Sequence, residues 1–218
     1  YRRDGAAFAQ NLRGMYGIAI HDRAARQVVL ARDPFGIKPL YIAEIPGGIA
    51  FASEAQALIA AGLVAPQLHR PALHEVLQLQ FSTGADTIFQ GIRRVLPGET
   101  ITIADGRIIA RDKRAALPAE GPENISEESA LTRLDAALME SVDLHQRSDV
   151  PYGMFLSGGT DSAAVLAAMA RINTAPVLAF TAGFDVAGAA DEREAAARAA
   201  AAAGARHIRV DVTQEMVW

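Results

Sequence analysis

The 218 residues include no cysteine. Disulfides, thiolate metal sites and cysteine nucleophiles are therefore excluded within this chain. Aromatic residues make up only 6% of the chain, with a single tryptophan, and no basic run exceeds Arg93-Arg94 or Lys113-Arg114. A nucleic-acid surface needs clustered cations, and none is indicated. No apolar stretch reaches the roughly 18–20 residues that cross a bilayer. The opening Tyr1-Arg2-Arg3-Asp4 has no initiator methionine and no apolar signal-peptide core. A cytoplasmic protein with no nucleic-acid and no membrane partner is the expectation.

What the chain does contain is apolar residues, at 50%. That suits one large or two modest domains with true cores. The net charge of −4 is unevenly spread, with 14 basic and 10 acidic residues up to position 118 against 7 and 15 beyond it. The acidic second part reads as a solvated exterior.

One hexapeptide stands out. Ser157-Gly158-Gly159-Thr160-Asp161-Ser162 follows the apolar run Tyr152-Gly153-Met154-Phe155-Leu156 and precedes an alanine- and leucine-rich helix. A strand, two glycines and a helix start form a place where an anion can approach the main chain without a Cβ in the way. Helix-entrance N–H groups and the positive end of the dipole favour negative charge there. Two serines add hydroxyls, and Asp161 is placed to hold a divalent cation. The loop has no lysine and is too short for the Gly-x-x-x-x-Gly-Lys-Ser/Thr pattern. A Gly-Gly turn with a Ser/Asp cap is the plainer alternative.

Around this loop the chain falls into two parts. Residues 1–114 alternate like antiparallel sheet. Runs at 15–21 and 27–31 are joined by a polar turn, Asp33-Pro34-Phe35-Gly36 is a turn, and 39–43 pairs with 48–52 around Pro46-Gly47-Gly48. Ser53 is expected to cap a short helix that Gly62 ends, and Pro71 to start another with Leu73, Val76, Leu77 and Gln80 on one side. Asp105-Gly106 is a hairpin turn. Residues 115–127 have a linker composition. From 128 onward Ser126 caps a helix with Leu131, Leu134, Leu138 and Val142 on one face. Strand, loop, helix (161–171), strand (177–182), helix (192–203) and strand (207–212) follow. That order argues for a parallel sheet with the loop at the carboxyl end of its first strand.

The loop resembles the pyrophosphate-binding loop of ATP-pyrophosphatases. The earlier segments Leu12-Arg13-Gly14-Met15-Tyr16-Gly17, Arg32-Asp33-Pro34-Phe35-Gly36-Ile37-Lys38-Pro39-Leu40-Tyr41, Phe51-Ala52-Ser53-Glu54, Ile88-Phe89-Gln90-Gly91-Ile92 and Leu96-Pro97-Gly98 resemble the later part of a class II glutamine amidotransferase domain. Together they are similar to the glutamine-dependent asparagine synthetase family, over essentially the whole chain. The resemblance implies a partial N-terminal-nucleophile αββα sandwich followed by a partial parallel-sheet, adenine-nucleotide α-hydrolase-like domain. It implies ATP and Mg²⁺, with Leu156, Ser157, Gly158, Gly159, Asp161, Ser162 and Ala182 at the nucleotide and Asp161 at the metal. It implies small-molecule partners, namely glutamine, ATP and aspartate or another carboxylate, in asparagine biosynthesis, and it leaves a homodimer open.

The resemblance also marks departures. The family's nucleophile is an amino-terminal cysteine, and no cysteine is here; the glutamine-binding arginine, Asn-Gly oxyanion element and amino-group aspartate are also missing. The chain is expected to be an internal fragment, inactive as a glutaminase. Arg32, Asp33, Lys38 and Glu54 either border the glutamine pocket or serve the fold alone. Asp191 and Glu192 either charge a helix N-terminus or stand beside the metal. His207, a lone histidine, has no ligand spacing. A different carboxylate acceptor, or a non-catalytic relic of the same architecture, remains an alternative.

Overall fold

A computed structural model describes residues 1–184 and 191–217. The chain divides into two compact units, Tyr1–Gly121 and Pro122–Trp218.

The first unit opens with a 3-10 helix, Gly5–Asn11. Strands β1 (Gly17–Asp22), β2 (Gln27–Arg32), β6 (Glu99–Ala104) and β7 (Arg107–Lys113) form an antiparallel sheet in the order β1-β2-β6-β7. A second antiparallel sheet, ordered β4-β3-β5, holds β3 (Tyr41–Ile45), β4 (Gly48–Ala52) and β5 (Ile92–Arg94). The run Val29-Leu30-Ala31 is wholly buried because β2 is covered on both faces. Leu30 packs with Leu40, Ile42, Val95 and Ile101, while Val29 and Ala31 pack with Phe8 and Ala9 of the 3-10 helix. Burial on both faces explains a continuous apolar run where a half-solvated strand would alternate. The turn between β6 and β7 places Asp105 and Gly106 at φ 47° and 73°. These are the left-handed conformations that a two-residue hairpin loop needs.

Helix α1 (Ala55–Ala60) corrects one expectation. Its cap residue is Glu54, in extended conformation, and no side chain caps it. Ser53 lies one residue too early, since the first carbonyl to accept within the helix is that of Glu54, from the Ala57 N–H at 3.2 Å. Helix α2 (Arg70–Leu79) has Pro71 in its first turn. Leu77 on α2 is 73% exposed, and Gln80 ends the helix at φ 65°; neither joins the packed side that Leu73 and Val76 partly supply.

The second unit begins with α3 (Glu127–His145), capped by the Ser126 hydroxyl accepting from the Ser129 N–H at 3.2 Å. Helix therefore starts at 127, the last residue assigned to the linker. Its apolar face packs only in the second half: Val142 is buried, Leu138 partly so, while Leu131 and Leu134 are exposed. Then come β8 (Met154–Phe155), α4 (Thr160–Ile172), β9 (Leu178–Phe184), α5 (Arg193–Ala202), β10 (Arg206–Val212) and the short α6 (Gln214–Val217). The three strands are parallel, in the order β10-β9-β8. Leu156, Leu166, Met169, Ala179, Ala196 and Ala200 form the core between this sheet and its helices. Among the described residues no helix is long and apolar enough to cross a membrane.

Candidate functional site

The hexapeptide connects β8 to α4 at the carboxyl end of the parallel sheet, where open α/β sheets hold their ligands. Leu156, 2% exposed, anchors its start. The Leu156 N–H donates to Phe180 O at 2.7 Å, and Leu156 O accepts from the Thr181 hydroxyl at 2.7 Å. Helix α4 begins at Thr160, with Gly159 as its cap and no side chain capping it. Asp161 and Ser162 thus lie in the first helical turn. Asp161 is exposed, and a carboxylate at that position also suits the helix dipole.

The loop's polar groups are mutually engaged. The Ser157 and Ser162 hydroxyls are 2.9 Å apart. The Ser157 hydroxyl accepts from the Gly159 N–H at 3.2 Å, and the Ser162 hydroxyl lies 3.1 Å from both Ser157 O and Gly159 O. The Ser162 hydroxyl has a single hydrogen, so it donates to only one of its neighbouring oxygens at a time.

The two glycines do different things. A Cβ on Gly158 would come within 2.7 Å of the Ala195 Cβ and 3.4 Å of Glu192 Cβ and O. The first glycine is therefore required by the close approach of α5. A Cβ on Gly159 would meet only the Ser157 hydroxyl, at 3.3 Å. Its φ of −81° is open to any residue, so the main-chain conformation there does not itself require glycine.

The start of α5 lies against this loop. Arg193 is the hub there: its guanidinium donates to Asp191 Oδ1 at 2.8 Å and Oδ2 at 3.0 Å, and to Asp211 Oδ1 at 2.8 Å. The Asp191 carboxyl is held below its ordinary value, first by the Arg193 side chain and then by the Arg193 N–H. A Cβ on Gly183 would fall 2.2 Å from Arg193 Cδ, so the arginine stem lies across that glycine. Asp191 serves Arg193, whereas Glu192 stands next to Gly158. Ala182, exposed in β9 and in register with Val210, lies near the same end of the sheet. Thr181 and Arg193 are the two residues here that sequence reasoning missed. The signal that could have found Thr181 is a polar residue at an inward position of an otherwise apolar strand, between Ala179 and Gly183.

In the first unit Arg32 and Asp33 are consumed by the main chain. Arg32 donates to Lys38 O, Val95 O and Gly36 O at 2.8, 2.7 and 2.7 Å. Asp33 is fully buried and accepts from the N–H groups of Tyr16, Phe35, Ile37 and Lys38 at 3.0–3.4 Å. Burial alone would raise its carboxyl pKa, but those four donors outweigh it and hold the value down. Lys38 and Glu54 are exposed. An open groove of about 500 Å³ between hairpin turns, lined by His21, Arg23, Gly47 and Asp105 among others, includes none of the expected site residues.

Residues 1–113 match the family model of a glutamine amidotransferase domain, and residues 133–217 match that of asparagine synthase. The chain belongs to the glutamine-hydrolysing asparagine synthetase family. It is 36% identical over 233 aligned positions to a putative glutamine-hydrolysing asparagine synthetase of Mycobacterium tuberculosis, covering all of this chain and 35% of that protein. Identity to the glutamine-hydrolysing asparagine synthetase 1 of Bacillus subtilis is 33%, over 99% of this chain and 33% of that protein. A Penicillium rubens protein named amidase chyE is 28% identical over 92% of this chain. The chain spans about a third of the length of these curated relatives.

Proposed function

We propose that the full-length protein makes an amide from a carboxylate, ATP and glutamine-derived ammonia, and that residues 156–162 hold the phosphates. The observation that carries this is the solvent-exposed, glycine-lined entrance of α4 with two serine hydroxyls and an exposed aspartate around it. Membership in the asparagine synthetase family supports the same reading. On it, the first unit is part of an N-terminal-nucleophile αββα sandwich and the second is part of an adenine-nucleotide α-hydrolase-like domain.

The residues fit ATP with a divalent cation. Leu156 and Ala182 would border the nucleotide. Ser157, Gly158, Gly159 and Ser162 would hold the pyrophosphate portion, and Asp161 would take Mg²⁺, whose hard charge suits carboxylate oxygen. The bound cation supplies neutralisation of phosphate charge. The loop's own contribution is fixed N–H and O–H donors at the place where charge grows as pyrophosphate departs. A carboxylate oxygen, on aspartate in the favoured case, attacks the α-phosphorus as the bond to the β-phosphate oxygen breaks. Ammonia then attacks the acyl carbon, the C–N bond forms, AMP leaves with its oxygen and the nitrogen loses a proton. Ammonia would come from glutamine hydrolysed at the amidotransferase domain, by a nucleophile outside these 218 residues.

A second reading keeps the same chemistry with a carboxylate other than aspartate as acceptor; one relative is named an amidase rather than an asparagine synthetase. Product analysis tests the proposal: turnover should yield AMP and pyrophosphate in equal amounts with the amide. ADP and phosphate as products would contradict it.

A further inference from the structure

We infer that Thr181 and His207 form a positioning relay that aims the first amide of the phosphate loop. The relay rests on the nucleotide site proposed above.

Thr181 lies in β9 and is 4% exposed. Its Oγ1 is 2.7 Å from Leu156 O and 2.8 Å from His207 Nε2. A carbonyl can only accept, so the single hydroxyl hydrogen goes to Leu156. The hydroxyl then offers only lone pairs to His207, and Nε2 must carry a hydrogen. The ring is thereby fixed with Nε2 protonated, and one hydroxyl ties β10, β9 and the end of β8 together.

Its position is what makes the tie more than glue. The ladder between β8 and β9 ends with the Leu156 N–H on Phe180 O. Beyond that bond the chain leaves the sheet, and the next carbonyl is held by the Thr181 side chain. The peptide joining Leu156 to Ser157 is trans and planar, so its C=O and N–H point in opposite directions. Holding Leu156 O toward Thr181 therefore turns the Ser157 N–H away from Thr181. Among the described residues no group accepts from that N–H. The direction His207 Nε2–H, Thr181 O–H, Leu156 C=O, Ser157 N–H is a donor chain running one way, in which each bond strengthens the next. Its free end is the first amide of the loop, so its task is to present a donor to a phosphate.

The test uses the full-length protein and four variants. Thr181→Val keeps the branched shape and loses the hydroxyl, and Thr181→Ser keeps the hydroxyl. His207→Gln keeps an N–H donor, and His207→Leu removes it. In carboxylate-dependent exchange of labelled pyrophosphate into ATP, Thr181→Val and His207→Leu should raise KM for ATP about tenfold, the scale of one lost hydrogen bond. Their kcat should stay within about threefold. Thr181→Ser and His207→Gln should stay near wild type in both constants. A wild-type KM in Thr181→Val, or an equal loss in Thr181→Ser, overturns the relay and leaves the nucleotide site standing. If the wild type itself shows no exchange, the nucleotide site falls, and hydrogen exchange of the peptide covering 156–162 decides the relay. Faster exchange in Thr181→Val but not in Thr181→Ser supports it, and no change overturns it. Imidazole ¹⁵N spectra of histidine-labelled protein give a further check: a His207 ring bare at Nε2 overturns the relay outright.

Discussion

Gly158 lies so close to Ala195 that a Cβ on the glycine would come within 2.7 Å of the alanine Cβ. The loop between β8 and α4 is thus held from one side by the first turn of α5. A Cβ on the neighbouring Gly159 would meet only the Ser157 hydroxyl, at 3.3 Å.

This asymmetry gives opposite expectations for the two glycines. Gly158→Ala forces α5 off the loop and should cost about 1–3 kcal/mol, the usual scale of overpacking. Ala195→Gly in the same molecule should recover much of that loss. Gly159→Ala should change stability by no more than about 0.5 kcal/mol. Urea unfolding of the three variants measures all of this. Equal losses at 158 and 159 would contradict the division of roles.

Asp33 gives a pH-dependent expectation. Its carboxyl pKa is lowered in the folded chain, against an unfolded value of about 3.9. A depressed carboxyl contributes stability in full above its unfolded value. That contribution fades as pH falls from about 4 through the folded value. Asp33→Asn should destabilise the chain at neutral pH by about 1–3 kcal/mol, because buried main-chain donors lose an ionised acceptor. It should also flatten the acid limb of the stability curve. A parallel limb in wild type and variant would show that another group carries the acid sensitivity.

The fold was largely legible where local chemistry decides it. Ser126 caps α3 by its own hydroxyl, and the Asp105-Gly106 hairpin follows from its left-handed pair. The strand, loop and helix around the hexapeptide are set by an apolar run, glycines and a helix-forming stretch. What escaped is set by packing. The 3-10 helix Gly5–Asn11 exists because it covers Val29 and Ala31, and the three-residue β5 exists because it pairs with β3. Neither carries a periodic signal of its own. Leu131 and Leu134 have the spacing of a buried face yet are exposed, since spacing gives a face and not its partner. The separate duties of Gly158 and Gly159 depend on α5, more than thirty residues on in sequence, and the hexapeptide alone cannot show them.

The connection between the two units should be the first place a protease cuts. Residues 115–126 are exposed throughout and contain Pro118, Gly121 and Pro122, and the division between the units falls at Gly121. Exposed loop segments of this composition are preferred cleavage sites. Mass spectrometry of the earliest fragments should place the cut there. A first cut within 157–183 would mean that the parallel-sheet unit opens more readily than its connection.

The 218-residue chain should release no glutamate from glutamine above background, since it holds no cysteine and thiol-dependent amide hydrolysis needs the thiol. Release that persists through repeated purification would require a nucleophile of another kind.

Whether residues 156–162 hold the phosphates of ATP is decided by pyrophosphate exchange in the full-length protein. Labelled pyrophosphate should enter ATP only when the carboxylate acceptor and Mg²⁺ are both present. Asp161→Asn and Gly159→Val should each lower the rate by about 10²–10³, the scale on which removing one aligned electrostatic interaction weakens a transition state. Glutamine hydrolysis should persist in both variants. Exchange at the wild-type rate in both variants would contradict a phosphate-binding role, and the Gly-Gly segment would then be a turn and nothing more.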